Sequence, residues 1–132
     1  MTKVQSTIDK CLNFFDITVT QRDIDFKDWS TLPSRGRGVD VISQGEQVLY
    51  VGKGHVRSRQ TQHYKKITNT LQPYFTEPKA WRWLRTVRGA NSDEWSLTIL
   101  YTTHKKQESA LEGGLIYFLD PLLNDECFVE PK

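Results

Sequence analysis

The sequence predicts an α+β fold: a three-stranded antiparallel sheet flanked by helices. Three observations carry this expectation. The stretch "WSLTILYTT", Trp95 to Thr103, alternates apolar and polar residues, so Trp95, Leu97, Ile99 and Tyr101 fall on one face of a strand. "GVDVIS" and "QVLYVG" are two more strand-like runs, joined by a turn around Gln44–Gly45–Glu46, which makes a hairpin. Segments of helical spacing lie between and around these strands, and helices covering a small sheet are the natural way to bury it.

From the N-terminus, Ile8, Cys11, Leu12 and Phe15 fall at helical spacing after Ser6 and Thr7, which can cap. Ile17 and Val19 give a weak strand signal. "KDWSTLPSRGRG" reads as a loop, broken by Pro33, Gly36 and Gly38. After the hairpin, His55 to about Leu71 reads as a helix, with Val56, Tyr64, Ile67 and Leu71 as its candidate core face. Pro73 and Pro78 bracket a loop. "AWRWLRTVRG" is a second helix of this region, with Gly89 near its end. The strand of Trp95 follows. A last helix runs from about Lys106 to Leu119, with Leu111, Leu115, Phe118 and Leu119 as its apolar stripe, and stops at Pro121. Residues 1–35 read as an N-terminal helix and loop extension, and residues 36–132 as the main domain.

The chain has 132 residues, 37 % hydrophobic and 26 % charged, enough for one modest core. The net charge of +2 is small, but its distribution is lopsided. From Lys53 to Arg88 the chain is strongly basic, with Glu77 its single acid, while acids gather from Asp16 to Asp28 and from Glu108 to Glu130. Cys11 and Cys127 carry no zinc spacing with His55, His63 and His104, and read as free thiols of a reducing compartment. No apolar run approaches the roughly 18 residues that span a membrane, and the polar N-terminus is no signal peptide. A cytoplasmic protein is expected, without a membrane partner.

"GVDVI", "LYVGKG", Arg59 with His63, and "LEGGLIYFLDPLLN" occur in that order, and together they resemble the motifs of the GIY-YIG nuclease superfamily. Asp40 stands ten residues before Tyr50, in the slot of the family's first tyrosine. Tyr50, Val51 and Gly52 match the second motif, and Lys53 follows as lysine often does there. Arg59 and His63 match the family's helical arginine and the histidine or tyrosine four residues on. Glu112, Pro121 and Asn124 match the spacing of the final motif. The resemblance spans about Gly38 to Asn124.

The resemblance implies a GIY-YIG-like sheet, a metal-dependent endonuclease acting on DNA, and Mg²⁺ or Mn²⁺ as its cofactor. It implies catalytic roles for Tyr50, Arg59, Glu112, His63, Lys53 and Asp40, with Glu112 as the metal ligand. The chemistry is coherent by itself. Phosphodiester hydrolysis needs an activated water and a neutralised phosphate. Arginine can grip phosphate with two prongs where lysine cannot. A single helical carboxylate can take a hard cation that keeps several waters. Arg57, Lys65, Lys66, Lys79, Arg82, Arg85 and Asn124 are the candidate nucleic-acid contacts, along or beside the phosphate backbone. Trp81 and Trp83 read as core rather than as base-stacking platforms.

Each of these residues has an ordinary reading when taken alone. Tyr50 would be a half-buried strand tyrosine, Arg59 a solvated helix arginine, His63 a satisfied hydrogen-bonder and Glu112 an exposed helix acid, with Glu108 a rival one turn earlier. Asp40 departs from the family pattern. It reads as an ion-pair partner of Lys53 or Arg59, as a second carboxylate near the metal, as a replacement base, or as a sign that catalysis is lost. The alternatives to an enzyme are a GIY-YIG-fold nucleic-acid-binding or inhibitor protein and a nuclease subunit that needs a partner protein or a second copy.

Overall fold

The computed structural model describes residues 2–68, 79–86, 88 and 91–124. Four helices and four strands follow in the order α1 (Lys3–Phe15), β1 (Thr20–Asp25), β2 (Arg37–Gln44), β3 (Gln47–His55), α2 (Val56–Thr68), α3 (Lys79–Thr86), β4 (Ser96–Tyr101) and α4 (Lys105–Leu119). Short 3-10 helices cover Phe26–Thr31, Ser92–Glu94 and Leu122–Asn124. The first of these lies inside the segment expected to be loop.

The sheet has four strands rather than three. All pairings are antiparallel, and the order is β1–β4–β2–β3. The extra strand β1 is an edge strand of sequence TQRDID with one apolar residue, Ile24, so it carries no hydrophobic alternation to read. Ile17 and Val19 precede it and serve the core instead. Residues 1–35 therefore supply a strand and a packing helix to the same sheet. α1 begins earlier than expected: Thr2 is its cap, its hydroxyl accepting from the Gln5 N–H at 3.1 Å.

The sheet buries both faces. On one, α1 and α4 pack against Val39, Val41, Val48, Val51 and Leu100 through residues such as Ile8, Leu111 and Leu115. On the other, α2 and α3 cover Ile42, Leu97 and Ile99 with Val56, Ile67, Trp81 and Leu84. The alternation of β4 holds, since Trp95, Leu97, Ile99 and Tyr101 share this second face while Leu100 lies on the first. Trp81 is buried and Trp83 packs against the same core, as expected.

Two expected core contacts are corrected. Tyr64 is exposed; the buried face of α2 is Val56, Gln60, His63 and Ile67, spaced i, i+4, i+7 and i+11. Phe118 is exposed as well, while its neighbour Leu119 packs against the core on the α1 and α4 face. Leu71, Pro73, Pro78, Gly89 and Cys127 lie outside the described residues, whereas Cys11 is a buried free thiol.

The hairpin sets up the site. Ile42 pairs with Tyr50 and Ser43 with Val48, which leaves Leu49 as an extra residue in β3. That bulge turns Leu49 and Tyr50 toward the same core. Asp40 stands opposite Gly52 on β3 and Ile99 on β4. Its carboxylate is thus sent from a central strand into the α2 layer.

Candidate functional site

Asp40, Tyr50, Gly52 and Arg59 form one connected unit. The Arg59 Nε–H donates to Asp40 Oδ1 at 3.0 Å, and Nη2–H donates to the Tyr50 hydroxyl at 2.6 Å. The guanidinium also lies 5.5 Å from the centre of the Tyr50 ring. Gly52 makes this possible. A Cβ there would collide with Arg59 Nη2 and sit 2.6 Å from the Tyr50 ring. The glycine thus leaves the path by which an arginine on α2 crosses edge strand β3 to reach Asp40 on β2. One side of the guanidinium fork is used by Asp40 and Tyr50. Its end, Nη1 with the second Nη2–H, remains for another acceptor, and the side chain is one-quarter exposed.

Asp40 is fully buried. Burial works to raise its pKa, but His63 and the Arg59 guanidinium outweigh it and hold the carboxyl below its ordinary range. Among the four readings of Asp40 in the sequence, the geometry is the ion pair with Arg59. No solvent-facing atom is left for a metal or for a substrate proton. Tyr50 is pushed up by burial, with Arg59 acting against the rise, so it is a phenol at neutral pH. Lys53, given a catalytic role by the resemblance, donates to Ser109 Oγ on α4 at 2.8 Å; the cation at Tyr50 is Arg59.

His63 is buried beneath this unit. Its ring stacks on Trp81 (5.3 Å, 8° between planes) and meets Tyr50 nearly edge-on at 4.6 Å. Burial pushes its pKa below the ordinary 6.5, Asp40 offsetting part of the effect, so it is neutral at pH 7. Its Nε2 lies 3.6 Å from Asp40 Oδ2, beyond a hydrogen bond and an ion pair only when the ring is protonated. A catalytic His63 in contact with substrate is therefore corrected to a packed residue behind the site. Gln60, which the sequence reading missed, is buried one turn earlier on the same face. Its amide, both His63 nitrogens and Asp40 Oδ2 have no hydrogen-bond partner among the described residues.

Glu112 comes from α4, on the opposite side of the sheet. It is partly exposed, and burial raises its pKa while Lys53 and Arg59 pull it down and Asp40 and Glu108 push it further up. Glu108, the rival acid, is buried and ion-paired, its Oε2 accepting from Arg37 Nε at 3.2 Å. That removes it from any exposed metal role. Arg37 and Glu108 are 71 residues apart, so no local pattern announces the pair.

The expected nucleic-acid contacts divide. Lys65 and Arg82 are exposed on α2 and α3. Lys66 lies over the Trp81 ring at 5.1 Å, and burial, then Arg59, lowers its pKa. Arg57 is engaged inside the fold, donating to the Leu32 carbonyl at 2.7 Å and lying over Trp29. Asn124 is corrected to a structural role. Its Oδ1 accepts from the Val51 N–H at 2.8 Å and its Nδ2 donates to the Val51 carbonyl at 2.7 Å, so both ends of the amide are spent on β3. The side chains of Lys79 and Arg85 lie outside the described residues.

No protein-family model matches the chain, and no curated protein or solved structure matches it either. No helix among the described residues is long and apolar enough to cross a membrane.

Proposed function

We propose that the chain is a metal-dependent endonuclease of the GIY-YIG type, hydrolysing phosphodiester bonds in DNA. One observation supports the reading: Tyr50 and Arg59, from two separate motifs, are joined by a hydrogen bond, and the guanidinium keeps a free, partly exposed end. Arg59 is held at Nε and Nη2, so its remaining N–H groups form a rigid receptor for two phosphate oxygens. The Tyr50 hydroxyl accepts from Arg59, which leaves its own proton to donate to a water or a phosphate oxygen. Asp40 fixes Arg59 and does not touch substrate. In the reaction the water oxygen bonds to phosphorus, the bond to the bridging oxygen breaks, and that oxygen leaves with a proton.

Glu112 is the residue that would hold Mg²⁺ or Mn²⁺. No group of three His, Cys, Asp or Glu residues among the described ones is arranged around a metal. A single, partly exposed carboxylate such as that of Glu112 suits a hard cation that keeps several waters. Bound there, such an ion supplies positive charge to the phosphate and makes water a better nucleophile.

A second reading rests on Asp40. The slot of the family's first tyrosine is filled by a buried carboxylate, so the site has one phenol where the family pattern has two. That favours a protein that binds nucleic acid, or inhibits, without cutting, or a subunit completed by a partner. The experiment is incubation of the purified chain with plasmid, single-stranded DNA and RNA, with Mg²⁺, Mn²⁺ or chelator. Cleavage of DNA is expected with metal only, and Glu112→Gln is expected to abolish it with an unchanged circular dichroism spectrum. Binding without cleavage by the wild type establishes the second reading; full activity of Glu112→Gln removes the metal role from that residue.

A further inference from the structure

We propose that the outer face of α1 and α4 is the contact between two copies of the chain, with the two α4 helices antiparallel across a twofold axis. This rests on the packing alone and is independent of the nuclease reading.

Four aromatic side chains lie on that face with much of their surface open: Phe14 is 82 % exposed, Tyr117 79 %, Phe118 64 % and Phe15 37 %. They form two edge-to-face pairs, Phe14 with Phe15 and Tyr117 with Phe118, each with centroids 5.0 Å apart. Phe14, Phe15 and Phe118 line one groove between the helices, with Lys3 and Lys10 beside them.

The two glycines of α4 separate what the chain explains from what it does not. Gly114 has an internal reason: a Cβ there would meet the Phe15 ring at 3.0 Å and Cys11 Sγ at 3.4 Å, so it lets α1 approach. Gly113 has none, since a Cβ there would meet nothing within 4 Å. A glycine inside a helix costs about 1 kcal/mol relative to alanine. Its bare backbone is a shallow hole, and Tyr117, one turn on along the same helix face, is a knob. When two α4 helices pack antiparallel on a twofold axis, each Tyr117 covers the Gly113 of the other copy. Knob and hole on one patch are self-complementary, as a twofold contact requires.

The area is sufficient. An aromatic side chain presents about 150–250 Å², so these exposures leave roughly 500 Å² per chain and about 1,000 Å² for the pair. That reaches the size at which specific interfaces begin. Unpaired nucleic-acid bases could also stack on such rings beside lysines. What favours a second copy is the match of Tyr117 to Gly113, which base stacking does not need.

Sedimentation of the full chain tests this. The wild type is expected at twice the chain mass, and Tyr117→Lys and Gly113→Arg at the chain mass, each with unchanged circular dichroism. The double variant Gly113→Cys with Tyr117→Cys is expected to give interchain disulfides on mild oxidation that the wild type does not form. A wild type that stays monomeric through the micromolar range overturns the proposal. So does a dimer indifferent to both substitutions, and so does a monomer whose binding of single-stranded DNA is lost in Tyr117→Lys.

Discussion

The two faces of the sheet are built from different material. Where α1 and α4 pack, the sheet offers Val39, Val41, Val48, Val51 and Leu100, an aliphatic layer met by aliphatic helix residues. Where α2 and α3 pack, Phe26, Trp81 and Trp95 join the aliphatic residues, and Asp40, Gln60 and His63 are buried as well. Five polar atoms of those three residues lack a partner among the described residues, and leaving such a group unsatisfied costs about 1–3 kcal/mol. The other face buries a charged side chain, Glu108 on α4, which Arg37 pairs. The aliphatic face holds the fold together, and the polar face spends part of that stability on holding one guanidinium in place.

The contrast is sharpest at Arg59. Arg59→Ala is expected to lower DNA cleavage per folded molecule by about 10²–10³-fold, and to cost stability as well, because the buried Asp40 carboxylate loses its partner. Arg59→Lys should restore little, because one ammonium cannot serve Asp40, Tyr50 and a phosphate together. Single-turnover cleavage measures this, and a fully active lysine variant would show that charge alone suffices. The aliphatic face should affect stability alone. Leu115→Ala is expected to cost about 2–5 kcal/mol in denaturant unfolding, with cleavage per folded molecule unchanged. A large loss of activity in that folded variant would break the division of labour between the faces.

Gly52→Ala sits between these cases. The added methyl meets Arg59 and Tyr50, and the arginine is the more easily displaced. Cleavage should fall about tenfold or more with little change in stability, since small displacements of a positioned group are costly. Unaltered turnover would mean that the guanidinium has another route to its place.

The smallest effect is on pH dependence. The folded pKa of His63 is lowered by burial, so the unfolded chain binds the proton more readily. Stability is therefore expected to fall as pH drops below about 6.5, the ordinary histidine value, and to keep falling as Asp40, held low in the fold, is protonated at still lower pH. His63→Phe, which keeps a ring against Trp81, should flatten the upper part of that decline. Melting temperatures from pH 7.5 to 4 record it; identical slopes in both proteins would remove His63 as the cause.

Much of this was legible from the residues. The alternation of β4, the hairpin and the helical segments gave the layers, and the motif spacing picked out Tyr50 and Arg59, which the fold joins by a hydrogen bond. What failed did so for physical reasons. β1 is an edge strand with a single apolar residue, so pairing rather than burial makes it a strand. The core face of α2 was assigned by apolarity, which chose Tyr64, whereas helix angle chose His63 and Gln60. The signal was present in the distance from Val56 to Ile67, eleven residues, which puts positions 60 and 63 between them on one face. Asp40 is the opposite case: one of its ordinary readings, the ion pair with Arg59, is its geometry, and only the depth of its burial decides against a metal.

The pairing of Asn124 with Val51 has a consequence for the solubility of the chain. β3 is the last strand of the sheet, so its outer N–H and C=O groups are a template on which another extended segment can add. Asn124 occupies the groups of Val51 with a side chain in place of a strand, and it ends the propagation of the ladder at that point. A chain cut short before Asn124 would keep every residue of the site and expose that edge, turning a self-limited sheet into one that can grow from molecule to molecule.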